Sequence, residues 1–392
     1  MSSLARSGII CLSTIDWDFL WQRQQELMSR FAQAGVPVLY VEPLGVRSLR
    51  LSDAGRVVRR LRRGLGEGVH SREAIQPGLQ RLSPFALPIQ GRRSVDRLNT
   101  KLVARSIRER CRAMGMDRPV LWTYYATHTV LNLADALQPR AIVYDCIDDV
   151  ARNARGVAAD YGKTEQALLR RADLALATST LLQGDKRTAR PDVHLSPPGC
   201  NPEHFAAPAA EAQEIAALPH PRLCFFGGID ERLDLPLLAS IARARPGWTI
   251  VLLGVVRTDV SLLDGLANLV FIGQRPYREL PAYLQHMDGL LLPYLLNDYT
   301  RRIYPAKVFE CLATGKPVLA TALPDLLRLS GLVRIVQPGE NTAAAIEQTL
   351  RGDSVEMAAR RQATARANSW DARFAEIEDL LRQALPDRET TP

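Results

Sequence analysis

Two runs of alternating strand and helix patterns, divided by a proline- and alanine-rich join, restrict the folding of this chain more than any other feature. In the first run, strand patterns at 8–12, 37–41, 120–124, 141–144, 174–178 and 193–196 alternate with helical periodicity at 17–34, 95–114, 127–137 and 161–171. Most strand patterns are short, continuous apolar runs, as expected of strands buried on both faces. Their alternation with helices predicts a parallel, doubly wound sheet of the α/β class. The join begins at Ala206 and ends on Pro219 and Pro221. A second run follows, with strands at 222–226, 248–253, 269–272, 289–293, 317–320 and 333–336. Its helices fall at 234–244, 277–285, 305–313 and 341–351, and the tail at 355–385 reads as two helices meeting near Ser369 and Trp370. Residues 47–91 are rich in Gly, Arg and Ser and follow neither period. The expected organisation is a first domain at 1–205, a linker at 206–221, a second domain at 222–368 and a C-terminal helix at 369–392 that packs back on the first domain. Ligands in such sheets sit beyond the carboxyl ends of the strands, so a cleft between two facing domains is the expected site. Hinge closure is the expected motion.

Composition narrows the function classes. A hydrophobic content of 46% with 23% charged residues describes a soluble globular chain. The six cysteines are widely spaced and form no CxxC pair, so neither a zinc site nor a disulfide framework is indicated, and a reducing cytoplasm fits. The N-terminal apolar run stops at Asp16 and reads as a first strand rather than a signal peptide. No stretch approaches the ~18 uninterrupted apolar residues of a spanning helix. The net charge of +8 is uneven, +10 over residues 1–205 and −2 over the remainder. Arginines at 56, 59, 60, 62 and 63, and those from Arg105 to Arg112, suit either an anionic lipid surface or a plain solvated face. No nucleic-acid-binding motif accompanies the charge, so no nucleic-acid partner is expected.

Residues 304–321, YPAKVFECLATGKPVLAT with its opening Tyr304, carry the clearest chemistry. Pro305 suits the first turn of a helix, Gly315 suits its end, and a buried strand follows. Lys307 and Glu310 are three residues apart and share one face near the helix start. A helix start favours phosphate, a lysine adds charge to a diphosphate, and a carboxylate accepts from ribose hydroxyls. Taken alone, the pair reads equally as a surface Lys and a helix-stabilising Glu.

The segment closely resembles the donor-site motif of GT-B glycosyltransferases, in which P-x-K-x-x-E precedes a small-Gly-x-P-V run, here Pro305, Lys307, Glu310, Gly315, Pro317 and Val318. Other segments in order along the chain are similar to bacterial cell-surface polysaccharide glycosyltransferases of the teichuronic-acid type. They are Trp17 to Gln25 with Val41-Glu42-Pro43, Val143 to Asp149, Pro197 to Phe205, Phe225 to Arg232, Phe271 to Tyr277, and Pro293-Tyr294 with Asn297. The resemblance implies two facing Rossmann-like domains with a deep cleft and C-terminal helices, the first binding acceptor and the second a nucleotide-sugar. It implies Gly227, Gly228, Arg232, Gly273, Arg275, Tyr294, Arg301, Lys307 and Glu310 as donor-binding residues. Arg232 and Arg301 are equally readable as solvated arginines, and Tyr294 as core. The glycine pair is not a GxGxxG fingerprint, so NAD is not inferred.

One departure bears on mechanism. Retaining relatives carry two glutamates eight apart, and the position eight before Glu310 is Arg302. An inverting reaction needs a base for the acceptor hydroxyl. Asp148 is the first candidate, Asp149 the second and His128 a third; N-capping is the competing reading of Asp148. No metal and no cofactor are expected, the nucleotide-sugar being a substrate. The expected partners are a UDP-sugar (or GDP-sugar) donor, a lipid-linked or other cell-surface glycan acceptor and an anionic membrane at its inner face. The alternatives are a UDP-sugar epimerase or hydrolase on the same fold, and a non-catalytic nucleotide-binding partner of a polysaccharide assembly complex.

Overall fold

The structure is a computed structural model describing residues 2–43, 74–84, 93–152 and 160–385. The arginine run at 56–63 lies outside the described residues. The chain divides into two units, 1–196 with 374–392, and 197–373. The α/β class expected from the sequence is the one observed, with two largely parallel sheets.

The first unit is built on an eight-stranded sheet in the order β3-β4-β2-β1-β5-β6-β7-β8. The strands are β1 (Ile9–Leu12), β2 (Val38–Val41), β3 (Ala74–Gln76), β4 (Leu79–Leu82), β5 (Val120–Thr123), β6 (Ala141–Cys146), β7 (Leu174–Ala177) and β8 (His194–Leu195). All pairs are parallel except β3 with β4. That hairpin falls in a stretch whose sequence follows neither period. It turns at Pro77-Gly78, where Gly78 has φ +80°, a conformation a side chain disfavours.

The helix expected at 17–34 runs only over Arg23–Gln33. Gln22 starts it, its N–H donating to the Gln25 side chain at 3.0 Å. The preceding residues are held otherwise. The Trp17 N–H donates to Glu42 at 3.1 Å and the Trp17 ring meets Tyr40 edge-on. From the tail helix Trp370–Ala384, Ile377 and Leu381 are buried in this unit's core.

The second unit holds a six-stranded, fully parallel sheet ordered β11-β10-β9-β12-β13-β14. Its strands are β9 (Arg222–Phe226), β10 (Thr249–Leu253), β11 (Leu269–Phe271), β12 (Gly289–Leu292), β13 (Val318–Thr321) and β14 (Val333–Val336). Numbered within the unit, this is the doubly wound order 3-2-1-4-5-6, and strand order reverses between β9 and β12. Residues 197–205, expected with the first domain, belong to this unit, because Cys200 and Phe205 are buried in its core. The Lys307 helix begins at Lys307, not at Pro305, which stands just before it.

Candidate functional site

The carboxyl ends of β9, β10 and β12 bring the second unit's polar residues together. Gly227 follows β9 at φ +126°, and a Cβ there would stand 2.1 Å from Lys307 Cε and 2.7 Å from Nζ. The lysine side chain therefore lies across the glycine. Gly254, at the end of β10, closes on the same loop, since a Cβ there would sit 1.7 Å from the Gly227 carbonyl oxygen. Two bare backbones thus meet at the strand ends. The Gly227 N–H donates to Leu253 and the Ile229 N–H to Val255. The Gly228 N–H between them has no partner among the described residues.

Asp230 anchors Arg232 beside this loop. Arg232 Nε meets Asp230 Oδ1 at 2.8 Å, Nη2 meets Oδ2 at 2.5 Å, and the Arg232 N–H donates to Oδ1 at 3.1 Å. Burial pushes the Asp230 carboxyl upward, but the Arg232 hydrogen bond and charge, with Lys307 adding to them, hold it below the usual carboxylate range. The Asp230 bond raises the Arg232 guanidinium further. Two cations and one carboxylate leave the cluster positive. The Lys307 ammonium makes no hydrogen bond or ion pair to another described residue.

Tyr294 leaves β12 beside Arg232. The Leu295 N–H donates to the Arg232 carbonyl at 2.9 Å, and the Asp234 N–H donates to the Pro293 carbonyl at 2.8 Å. Tyr294 is buried, its ring edge-on to Phe225. Glu310 follows Lys307 by three on the same short helix, Lys307–Ala313. Its charge, after burial, raises the thiols of Cys200 and Cys311. Arg301 is exposed in the turn Thr300–Arg302, which Asn297 holds by accepting from the Thr300 and Tyr299 N–H groups. Arg302 hydrogen-bonds the Asp298 carbonyl at 2.6 Å.

The other predicted residues have surroundings of their own. Gly273 follows β11 at φ +81°. Arg275 is occupied elsewhere, bonding Glu214 and the Tyr283 hydroxyl, each at 2.9 Å. In the first unit, Asp149 is fully buried and paired with Arg152 at 2.7 Å. Asp148 is half-buried two residues past β6, and its carbonyl faces the Cys146 thiol at 3.6 Å. Asp145 is buried against Arg23 at 2.9 Å. His128 opens the helix His128–Leu137 and pairs with Asp160 at 2.7 Å, both side chains exposed. Gly254 belongs to none of the sequence motifs, and Asp230 stands there only as part of the Phe225–Arg232 segment. The signal for Gly254 was a glycine closing the strand next to β9. Among the described residues no group of three or more His, Cys, Asp or Glu could hold a metal. A hollow of about 500 Å³ lies at the opposite, amino ends of the strands, lined by Pro221, Trp248, Asp288 and Pro317. Parallel α/β sheets bind ligands at the other end.

Residues 220–352 match the family model described as Glycosyl transferases group 1. The match lies within the second unit. Among curated proteins, the chain is 30% identical over 260 residues to TuaH of Bacillus subtilis (strain 168), assigned to teichuronic acid biosynthesis as a glycosyltransferase. The match covers 60% of this chain and 65% of that protein, so it spans a little under two thirds of the relative. Among solved structures, a sucrose-phosphate synthase from Thermosynechococcus elongatus matches at a TM-score of 0.69 and 18% identity, covering 96% of this chain and 99% of the other. HepE of Anabaena, solved with UDP and glucose, matches at 0.63 and 15%, again covering 96% and 99%. These likenesses show the fold.

Proposed function

We propose that the chain is a glycosyltransferase that moves a sugar from a UDP-sugar to a lipid-linked or other cell-surface glycan acceptor. The observation carrying this reading is Lys307 laid over Gly227, next to the unpartnered Gly228 N–H and the Asp230-braced Arg232. A lysine, an arginine and a bare backbone N–H at a switch point form a diphosphate cradle. The group 1 match and the TuaH relative support sugar transfer, and the UDP in HepE supports the donor.

In the reaction, the acceptor hydroxyl oxygen attacks the anomeric carbon and the bond to the diphosphate breaks, its electron pair leaving with UDP. Lys307, Arg232 and the Gly228 N–H offset the charge that develops on the leaving group. Glu310 accepts from the ribose hydroxyls. Asp148, on the acceptor-binding unit, takes the hydroxyl proton. Asp149 is the weaker base candidate, because it is buried against Arg152. His128, exposed on Asp160, is the third. Inversion at the anomeric carbon is expected. The basic half brings the protein to an anionic membrane, where a lipid-linked acceptor resides; no described helix is long and apolar enough to cross one.

The test incubates a panel of labelled nucleotide-sugars with the protein and a lipid extract, following label into the lipid phase. Label from a UDP-sugar in a lipid-linked saccharide is the expected result. Free sugar or an isomerised nucleotide-sugar, formed without acceptor, contradicts transfer.

A further inference from the structure

The helix that carries Lys307 and Glu310 has only seven residues, so both of its ends determine where Lys307 lies. Its far end stops at Gly315, buried at φ +76°. The Gly315 carbonyl accepts two hydrogen bonds from Arg361, Nε at 3.0 Å and Nη2 at 2.8 Å. Nη2 also meets Asp353 Oδ1 at 2.6 Å. The Arg361 side chain is 3% exposed.

Arg361 lies on the helix Val355–Ala367, whose buried residues are Arg361 and Ala365 alone. This helix sits directly on the glycine: a Cβ at Gly315 would stand 3.1 Å from Gln362 Nε2 and 3.5 Å from Ala358 Cβ. Packing alone does not explain the choice of side chain. Burying a guanidinium is costly, and an apolar residue of similar volume fills such a place at least as well. What the arginine adds is direction, because its planar fork fixes one carbonyl oxygen from two donors.

We propose that Arg361 is a positioning residue for the nucleotide donor. It pins Gly315, thereby fixing the short helix and the place of Lys307 over Gly227. This rests on the donor-site reading above. Arg361 touches no substrate.

The experiment measures UDP affinity by calorimetry and Tm by circular dichroism for wild type, R361M, R361K, K307A and the double variant R361M/K307A. R361M is expected to weaken UDP binding by about tenfold. R361K is expected to recover part of that loss, since an ammonium donates to the carbonyl but without the fork. In the K307A background R361M should change UDP affinity no further, while its lowering of Tm persists. A purely structural arginine gives the opposite: a lower Tm with wild-type UDP affinity, or an equal loss with and without Lys307. Either overturns the proposal. Should R361M fail to fold, R361K and D353N decide it: the first removes the fork and the second its Asp353 brace, so both are expected to weaken UDP binding by less than R361M would, and wild-type affinity in both overturns the proposal. Unchanged affinity in K307A, or no UDP binding by wild type, overturns the donor-site reading and this inference with it.

Discussion

At the residue scale, the site depends on what glycines leave out. Gly227 has no Cβ where Lys307 lies, and its φ of +126° is one that other residues rarely adopt. Gly227→Ala should therefore push the ammonium aside and weaken nucleotide binding about as much as loss of the lysine. Calorimetry with UDP checks this; full affinity in a folded Gly227→Ala protein would contradict the arrangement. Gly227 is legible in the sequence but its neighbour Gly254 is not, because the two are 27 residues apart and meet only once β9 and β10 pair. Lys307 and Glu310 are legible because helical spacing is local. Arg275 is not distinguishable from Arg232 in the sequence, since the Glu214 that occupies Arg275 is 61 residues away, whereas Asp230 stands two residues from Arg232. A second residue-scale prediction concerns the cysteines. All six are free and buried, and burial raises every thiol, Cys111 to about 12. At pH 8 a thiol reagent should label the native protein slowly and all six sites once it is denatured. Rapid stoichiometric labelling of the native protein would contradict the packing.

At the scale of elements, the parallel strands were legible because strands buried on both faces read as apolar runs. The β3–β4 hairpin was not, although Pro77-Gly78 is a turn signal, since its strands are short and carry Gln76, Gln80 and Arg81 among the apolar residues. The start of the Arg23–Gln33 helix was misplaced because Trp17 continues an apolar pattern yet is held by Glu42 and Tyr40. The loop after β6 gives the prediction at this scale. Asp148 is half-buried and Asp149 is buried against Arg152, so the two should respond differently. Asp148→Asn should slow turnover about 10²–10⁴-fold with little change in stability or UDP affinity. Asp149→Asn should lower Tm, because it removes the buried charge that Arg152 meets at 2.7 Å, with Asp185 farther off at 3.4 Å. Enzyme assays with thermal unfolding separate the two. Near wild-type turnover in Asp148→Asn, or a product of retained configuration by NMR, would discard Asp148 as the base.

At the scale of the whole molecule, charge and chemistry are divided along the chain. Residues 1–205 carry +10 and the remainder −2, while the proposed diphosphate cradle belongs to the second unit. Binding to vesicles rich in anionic lipid should exceed binding to neutral vesicles and fall with added salt, as exposed charges are screened over about 8 Å at physiological ionic strength. Co-sedimentation checks this; equal partition onto both vesicle types would contradict it. The central claim is that the carboxyl end of the second sheet holds a nucleoside diphosphate through Lys307. Its most direct test is calorimetric titration of UDP into the wild-type protein and the Lys307→Ala variant. The account predicts saturable binding to the wild type and a loss of about 1.5–3 kcal/mol in the variant, the size of a charge-assisted hydrogen bond. Equal affinity in the two folded proteins would contradict it.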